Sequence, residues 1–181
     1  MNDGLSLFGE LRIVSHRRDH FLLGAELADA LESCEAVLDI VSRNLVVNIG
    51  TSVFSRLLGG GAGSPQVYHP SAPFGFSELA DLSVASMMLG NTVSPHAPDP
   101  DDTTGPSTPI FTPNLTVTYP TWYSVRFSGL VPQPEFDGTI FTEEALLLRN
   151  GALFAKTRFQ RQKTAAFGLQ FDHEITIGRA P

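Results

Sequence analysis

The feature that most constrains this chain is a strict alternation near its C-terminus. From Phe167 to Gly178, odd positions carry apolar side chains and His173, whereas even positions carry polar residues or glycine. A period of two places alternate side chains on opposite faces of a strand. The pattern therefore predicts a β-strand with one buried face, on which His173 lies as a core residue. Because a single strand is not stable in water, the rest of the chain must supply a sheet.

A second strong signal lies just before this strand. Two β-rich runs, Phe141–Arg149 and Ala152–Phe159, flank the dipeptide Asn150-Gly151. Asn-Gly between such runs is typical of a hairpin with a type I′ turn, which needs a positive φ at both residues. Further β-rich runs are Thr116–Tyr119 and Trp122–Leu130. Residues 114–178 are thus predicted to form an antiparallel meander.

The N-terminal third shows a helical pattern after a short strand at Gly9–Val14. Spacings of three and four place one apolar set on a single helix face. This set is Leu27, Leu31, Cys34, Leu38, Val41 and Leu45. We predict a helical segment over residues 24–58, ended by the glycine run 59–63. These glycines follow a helix and have no lysine after them until Lys156, which argues against a phosphate loop.

The middle of the chain differs in composition from both ends. Of the 13 prolines, 12 fall between Pro65 and Pro134, and residues 57–125 contain no Lys or Arg. Residues 64–113 are therefore predicted to be a Pro-rich loop region with one buried strand near Leu82–Leu89. The part from Ser94 to Pro113 is predicted to be an extended, solvent-exposed excursion.

These elements predict one fold class for a single domain of residues 1–181. The class is mainly β with α: an antiparallel β-sandwich-like domain, one or two N-terminal helices and a long Pro-rich loop. Hydrophobic residues make up 42% of the chain, which is enough for a core.

The bulk properties exclude several functional classes. A net charge of −7 argues against a dedicated nucleic-acid binder. No apolar run approaches the ~20 residues needed to span a bilayer, so no membrane contact is expected. The N-terminus lacks the pattern of a signal peptide, and the single cysteine, Cys34, excludes an intramolecular disulfide. We expect synthesis in a reducing cytoplasm.

No catalytic, cofactor or metal site emerges from the sequence. Asp99, Asp101 and Asp102 resemble calcium ligands but lack the glycine and distal glutamate of a calcium loop. Glu143 and Glu144 are adjacent on a strand, so their side chains point to opposite faces and cannot form a dyad. The sequence contains no Gly-x-Ser-x-Gly motif. We therefore predict that the protein is not an enzyme and needs no cofactor.

The charge distribution predicts a contact between copies of the chain. The acidic loop 95–105 would lie against a basic hairpin of the next subunit. The candidate contact residues are Asp99, Asp101, Asp102, Lys156, Arg158, Arg161 and Lys163.

Two stretches resemble a recurrent family of tailed-bacteriophage virion proteins. One comprises Phe141–Leu148, Asn150–Phe159, Lys163 and the strand Leu169–Ile177; the other comprises Asn44–Gly50 and Leu57–Gly59, and Leu82–Asn91 lies where the family has a further strand. The chain departs from the family pattern at Ala145-Leu146-Leu147, where Ala-Gly-Leu is common, and at His173-Glu174-Ile175, where an aromatic residue is common.

The resemblance implies a structural virion protein of the tail, neck or baseplate, assembled in the host cytoplasm as a homo-oligomeric ring with neighbouring virion proteins. No functional residue carries over, because the family is structural. One alternative is a receptor- or carbohydrate-binding fibre module using Tyr68, Tyr119, Trp122 and Tyr123, although alternation predicts that Tyr123 faces the core. Another is a cell-wall hydrolase, for which no converging carboxylates are visible.

Overall fold

The computed structural model describes residues 5–46, 79–93, 97–99 and 102–179. The strands are β1 (Leu5–His16), β2 (Ala36–Val46), β3 (Val84–Gly90), β4 (Pro109–Phe111), β5 (Leu115–Thr121), β6 (Ser124–Val131), β7 (Ile140–Leu148), β8 (Leu153–Gln162) and β9 (Gly168–Arg179). A helix, α1, spans Gly24–Glu32, and a 3₁₀ turn spans Leu79–Leu82. In this part of the chain, the predicted mainly β, antiparallel, sandwich-like class with an N-terminal helix is confirmed.

The chain divides into two compact units. The first comprises Met1–Arg43, Pro113–Phe141 and Phe159–Pro181, and the second comprises Asn44–Thr112 and Thr142–Arg158.

In the first unit, β1, β9, β6 and β5 are neighbours in that order, and all pairs are antiparallel. The β1–β9 register runs from Leu5↔Arg179 to His16↔Gly168. The odd positions of β9 form an apolar face that includes Leu169, Phe171 and Ile175, all buried. Helix α1 belongs to a separate buried cluster with Val14, Leu22, Ala30 and Ala36, packed by Leu27 and Leu31.

In the second unit, β4, β3, β7 and β8 are neighbours in that order, and β8 is followed by the last residues of β2, from Asn44 on. Strand β3 pairs antiparallel with β7 from Val84↔Leu148 to Gly90↔Glu143, and β2 pairs with β8 at Leu45↔Lys156. Every residue of this unit from Thr142 to Leu148 is buried. Burial of both faces explains why this strand lacks a clear polar–apolar alternation in the sequence.

The predicted helix over residues 24–58 is wrong from Ser33 to Val46. Residues Ala36–Val46 form β2, and Cys34, predicted on the apolar helix face, is exposed in a left-handed turn with a φ of 60°. The amides of Ser33 and Cys34 close this turn by donating to the carbonyls of Asp29 and Leu31. The Val- and Ile-containing segment after it satisfies helical spacing by chance, and pairing with β8 selects the strand. The remainder of the predicted helix, residues 47–58, lies outside the described residues.

The predicted Asn-Gly hairpin joins β7 to β8, but its turn is not type I′. Of the two residues, only Gly151 has a positive φ, 86°. The amide of Gly151 donates to the Leu148 carbonyl at 2.9 Å, and the Leu148 amide donates to the Ala152 carbonyl at 2.8 Å. These bonds define a three-residue loop with a left-handed glycine at its third position, a common alternative hairpin connection.

Part of the Pro-rich excursion is packed and not solvent-exposed as predicted. Pro106 is buried, and a Cβ placed on Gly90 would lie 2.4 Å from Pro106 Cβ. Only glycine therefore permits this approach at position 90. The amide of Asn91 also donates to the Thr108 carbonyl at 3.1 Å. The chain from Asp102 to β4 is consequently held against the end of β3.

Candidate functional site

The second unit buries an ionic cluster around Lys156. The Nζ atom of Lys156 lies 3.4 Å from Glu143 Oε1 and 4.0 Å from Asp102 Oδ2. The exposed fractions of the Lys156, Glu143 and Asp102 side chains are 1%, 0% and 15%. Removing charges from water is costly unless opposite charges face them, and this cluster places two carboxylates around one ammonium group.

Two threonines fix the position of Glu143. Thr92, which follows β3, donates its hydroxyl to Glu143 Oε2 at 2.5 Å, and Thr142 donates its hydroxyl to the Thr92 carbonyl at 2.9 Å. The Thr92 hydroxyl also accepts the amide of Thr108 at 3.2 Å. One oxygen of Glu143 is therefore held by a hydrogen-bonded chain. Its other oxygen accepts no hydrogen bond among the described residues and faces Lys156.

The first unit buries a different polar network on the even-numbered face of β9. Asp172 accepts hydrogen bonds from the Ser128 hydroxyl at 2.6 Å and from Gln170 Nε2 at 2.9 and 3.0 Å. Gln170 also exchanges two hydrogen bonds with the Leu22 backbone. Burial raises the pKa of Asp172, and these hydrogen bonds act in the opposite direction. The network therefore joins Leu22, in the connection between β1 and α1, to strand β9 by hydrogen bonds.

His16 ends β1 and is fully buried, although the run from His16 to His20 is polar throughout, a composition typical of an exposed turn. Arg17 through His20 are exposed. Burial lowers the pKa of His16, against an opposing effect of Gln170. His173 lies in the core, on the apolar face where the alternation places it.

Two cations of the predicted basic cluster have partners in the first unit. Lys163 is fully buried, and its Nζ donates to the Gln133 carbonyl at 2.7 Å and the Thr164 carbonyl at 2.6 Å. Burial lowers the pKa of Lys163. Arg161 pairs with Asp39 at 2.9 Å and donates to the Ser15 hydroxyl at 3.0 Å.

An exposed apolar surface, the aromatic strip, lies on β5, the turn between β5 and β6, and the end of β9. Its residues and their exposed fractions are Val117 (42%), Tyr119 (77%), Trp122 (94%), Tyr123 (43%) and Ile177 (38%). The register pairs Val117 with the buried Phe127, and the Ile177 amide donates to the Tyr123 carbonyl at 3.0 Å. The Trp122 and Tyr123 rings meet edge to face, with centroids 5.2 Å apart. Tyr123 is thus not a core residue, contrary to the expectation from alternation.

The predicted contact residues fall into different environments. Asp99 and Asp102 form a turn in which the Asp102 amide donates to the Asp99 carbonyl at 3.0 Å; Asp101 lies outside the described residues. Lys156 and Lys163 are buried, Arg161 is partly exposed, and Arg158 is exposed. A contact between copies would therefore involve Arg158 and Arg161 most directly, and it stays a prediction.

The arrangement limits the chemistry available to the described residues. Within them, no group of three or more His, Cys, Asp or Glu side chains is placed to hold a metal ion. No helix there is long and apolar enough to cross a membrane. The chemistry-bearing group is the Lys156 cluster, in which an amine, two carboxylates and a hydroxyl lie together away from water.

Sequence reasoning missed this cluster, although a signal was present. The chain has only two lysines, Lys156 and Lys163, against ten arginines. Lysine is normally among the most exposed residues, yet Lys156 directly follows the apolar β-run Leu153–Ala155. A lysine within an apolar strand is therefore a signal for a buried partner of opposite charge. Lys163 follows Arg161-Gln162 and carries no such signal.

Comparison with known proteins returned no match to this chain from a family model, a curated protein or a solved structure.

Proposed function

We propose that the protein is a structural component of a tailed-phage virion, in the tail, neck or baseplate, that assembles through contacts with its own copies and neighbouring virion proteins. The family resemblance of the β7–β8 hairpin and β9 motivates the virion assignment. The observation that carries the assembly role is the aromatic strip. It exposes five large apolar side chains of the first unit, among which the Trp122 and Tyr123 rings are in contact and Ile177 is hydrogen-bonded to Tyr123.

Exposed apolar patches of this kind typically mark protein–protein contact surfaces. Tyr and Trp are also the residue types that most often dominate binding energy at such surfaces. The part of the strip on β5 and the following turn has no charged residue between Leu115 and Val125, so a partner buries that part without desolvating a charge from this segment.

Native mass by light scattering tests this function. We expect the full chain to form a defined oligomer, and we expect the double substitution Tyr119→Ser with Trp122→Ser to lower the native mass. The matched control is Val93→Ser, which removes an apolar side chain with an exposed fraction of 96% outside the strip. A chain that remains monomeric at all concentrations contradicts assembly with its own copies.

The exposure of Tyr119, Trp122 and Tyr123 also favours a second candidate, binding of a receptor carbohydrate. Sugar rings stack on exposed aromatic side chains, and Trp122 is the only tryptophan, so its fluorescence reports directly on occupancy. Titration with oligosaccharides of bacterial surfaces distinguishes the two. A saturable spectral shift that is lost in Trp122→Phe supports the carbohydrate function, whereas no shift with any oligosaccharide removes it. The fourth predicted aromatic residue, Tyr68, lies outside the described residues.

A further inference from the structure

We propose that Lys156 and Asp102 condense within the chain to form an amide cross-link, with Glu143 as the proton-transferring group. This covalent modification is independent of the proposed virion function. It would join the start of the packed part of the Pro-rich segment to strand β8.

Three features of the cluster place the reacting groups together. The amine and the Asp102 carboxylate are 4.0 Å apart, and both belong to the second unit. Asp102 is fixed close by: its Oδ2 accepts the Asp99 amide at 3.1 Å, and Pro106 is packed against Gly90. Holding two reactants in one place removes most of the entropic cost of a condensation.

Glu143 is placed to move protons during this step. Its Oε1 faces Lys156 Nζ at 3.4 Å, while its Oε2 is held by Thr92. A carboxylate close to the amine is suited to general acid–base catalysis, and such contacts tighten as the reaction proceeds. Residue 102 carries a carboxyl group and not a side-chain amide, so the group that leaves its Cγ departs as water and not as ammonia.

The step balances without another reactant. The ammonium group of Lys156 loses a proton to Asp102 through Glu143, and the resulting amine attacks Cγ of Asp102. Glu143 then takes a second proton from the nitrogen and delivers it to the departing oxygen. The N–Cγ bond forms, one Cγ–O bond breaks, and one water leaves. The amide carries no charge, so the Lys156 ammonium and the Asp102 carboxylate are no longer buried as ions. Glu143 keeps its hydrogen bond from Thr92, and its other oxygen faces the new amide N–H.

Intact-mass spectrometry of the denatured full chain tests the proposal. After incubation at neutral pH, we expect a mass lower than the sequence mass by one water. In Asp102→Asn, the leaving group is ammonia, so we expect the loss of one ammonia instead. In Glu143→Gln and Lys156→Arg, we expect the full sequence mass. A wild-type chain at the sequence mass overturns the proposal.

Two further readouts separate this cross-link from other losses of water. A succinimide at Asp137-Gly138 also removes one water, but it persists in Glu143→Gln and links no peptides. Tryptic digestion of the cross-linked chain instead gives one branched peptide that joins residues 102 and 156. Acetylation in denaturant provides the internal control, since Lys163 is modified while Lys156 is not. Full acetylation of both lysines in the wild-type chain overturns the proposal, and this result does not depend on whether any variant folds.

Discussion

The two units bury a carboxylate in different ways. Asp172 in the first unit receives its hydrogen bonds from neutral groups, Ser128 and Gln170, whereas Glu143 in the second faces the Lys156 ammonium. Neutral donors fix the geometry but compensate only partly for burial, as the raised pKa of Asp172 indicates. In the ionic cluster, opposite charges compensate for the cost of burial, so removing one residue leaves the charge of the others uncompensated. The difference predicts unequal sensitivity to substitution in the two units.

The largest effect is expected in the ionic cluster. Compared with the freshly prepared chain that still has the full sequence mass and the Lys156 ammonium, Lys156→Met should lower the free energy of unfolding by about 3–5 kcal/mol, because it leaves Glu143 buried without a cation. Arg158→Met, at an exposed position two residues away, is the control and should cost about 1 kcal/mol or less. Urea denaturation measures both. Similar losses for the two variants would contradict the ionic description of this core.

A smaller effect is expected in the neutral network. Asp172→Ala should cost about 1–3 kcal/mol, because it leaves the Ser128 hydroxyl and one Gln170 donor unpaired in the core. Asp29→Ala on the exposed surface of α1 serves as a control with little expected change. If Asp172→Ala proves as costly as Lys156→Met, the distinction between the two units is lost.

The first unit should also show a pH dependence from His16. Burial lowers the pKa of His16 below its ordinary value of 6.5, so the folded chain binds fewer protons than the unfolded chain. The stability contributed by the neutral ring is present above pH 6.5 and falls as the pH drops toward the folded pKa, by at most about 1.4 kcal/mol per pH unit.

Denaturation of wild type and His16→Gln between pH 7 and pH 5 isolates this contribution. The difference in stability between them should shift in favour of the variant on acidification. The exposed His20, whose pKa is raised by Glu26 and Asp19, is present in both chains, so the difference reports His16 together with its electrostatic coupling to His20. A pH-independent difference would show that His16 titrates alike in the folded and unfolded chains.

The smallest effect on stability is expected in the aromatic strip. Trp122→Ser should change the free energy of unfolding by no more than about 0.5 kcal/mol, because the ring is almost fully exposed. The same substitution should weaken assembly. Loss of assembly with unchanged stability is the result expected for a contact surface and not for a core residue. Thermal denaturation at low protein concentration measures the first effect, and a large loss there would assign Trp122 to the fold.

Local periodicity predicted much of the C-terminal fold. Strand β9, the β7–β8 hairpin and β6 follow from alternation and from Asn150-Gly151, because these signals depend on neighbours in sequence. The error at Ala36–Val46 has the opposite origin. Two side chains four residues apart lie on the same face of a strand as well as of a helix, so the apolar residues of Ala36–Val46 fit either element. The strand is selected by the pairing of Leu45 with Lys156, which lies far along the chain.

The candidate sites were less predictable for a related reason. Gln170 and Asp172 occupy the polar positions of a clean alternation, and the sequence does not show that Leu22 and the Ser128 strand bury them. Glu143 and Asp102 are 41 positions apart in sequence, and their meeting at Lys156 depends on the packing of Pro106 against Gly90. Tyr123 fits a core position by parity, but the apolar face of its sheet continues into solvent at that end.

Fluorescence of the single tryptophan tests the central claim, that the aromatic strip is a contact surface, most directly. In the isolated chain, Trp122 has an exposed fraction of 94%, which predicts the red emission of a solvated indole at low concentration. As the concentration rises and copies assemble, we expect the emission to shift to the blue and to resist quenching by iodide. An emission spectrum that stays red and fully quenchable while the native mass increases would contradict burial of the strip at the contact between copies.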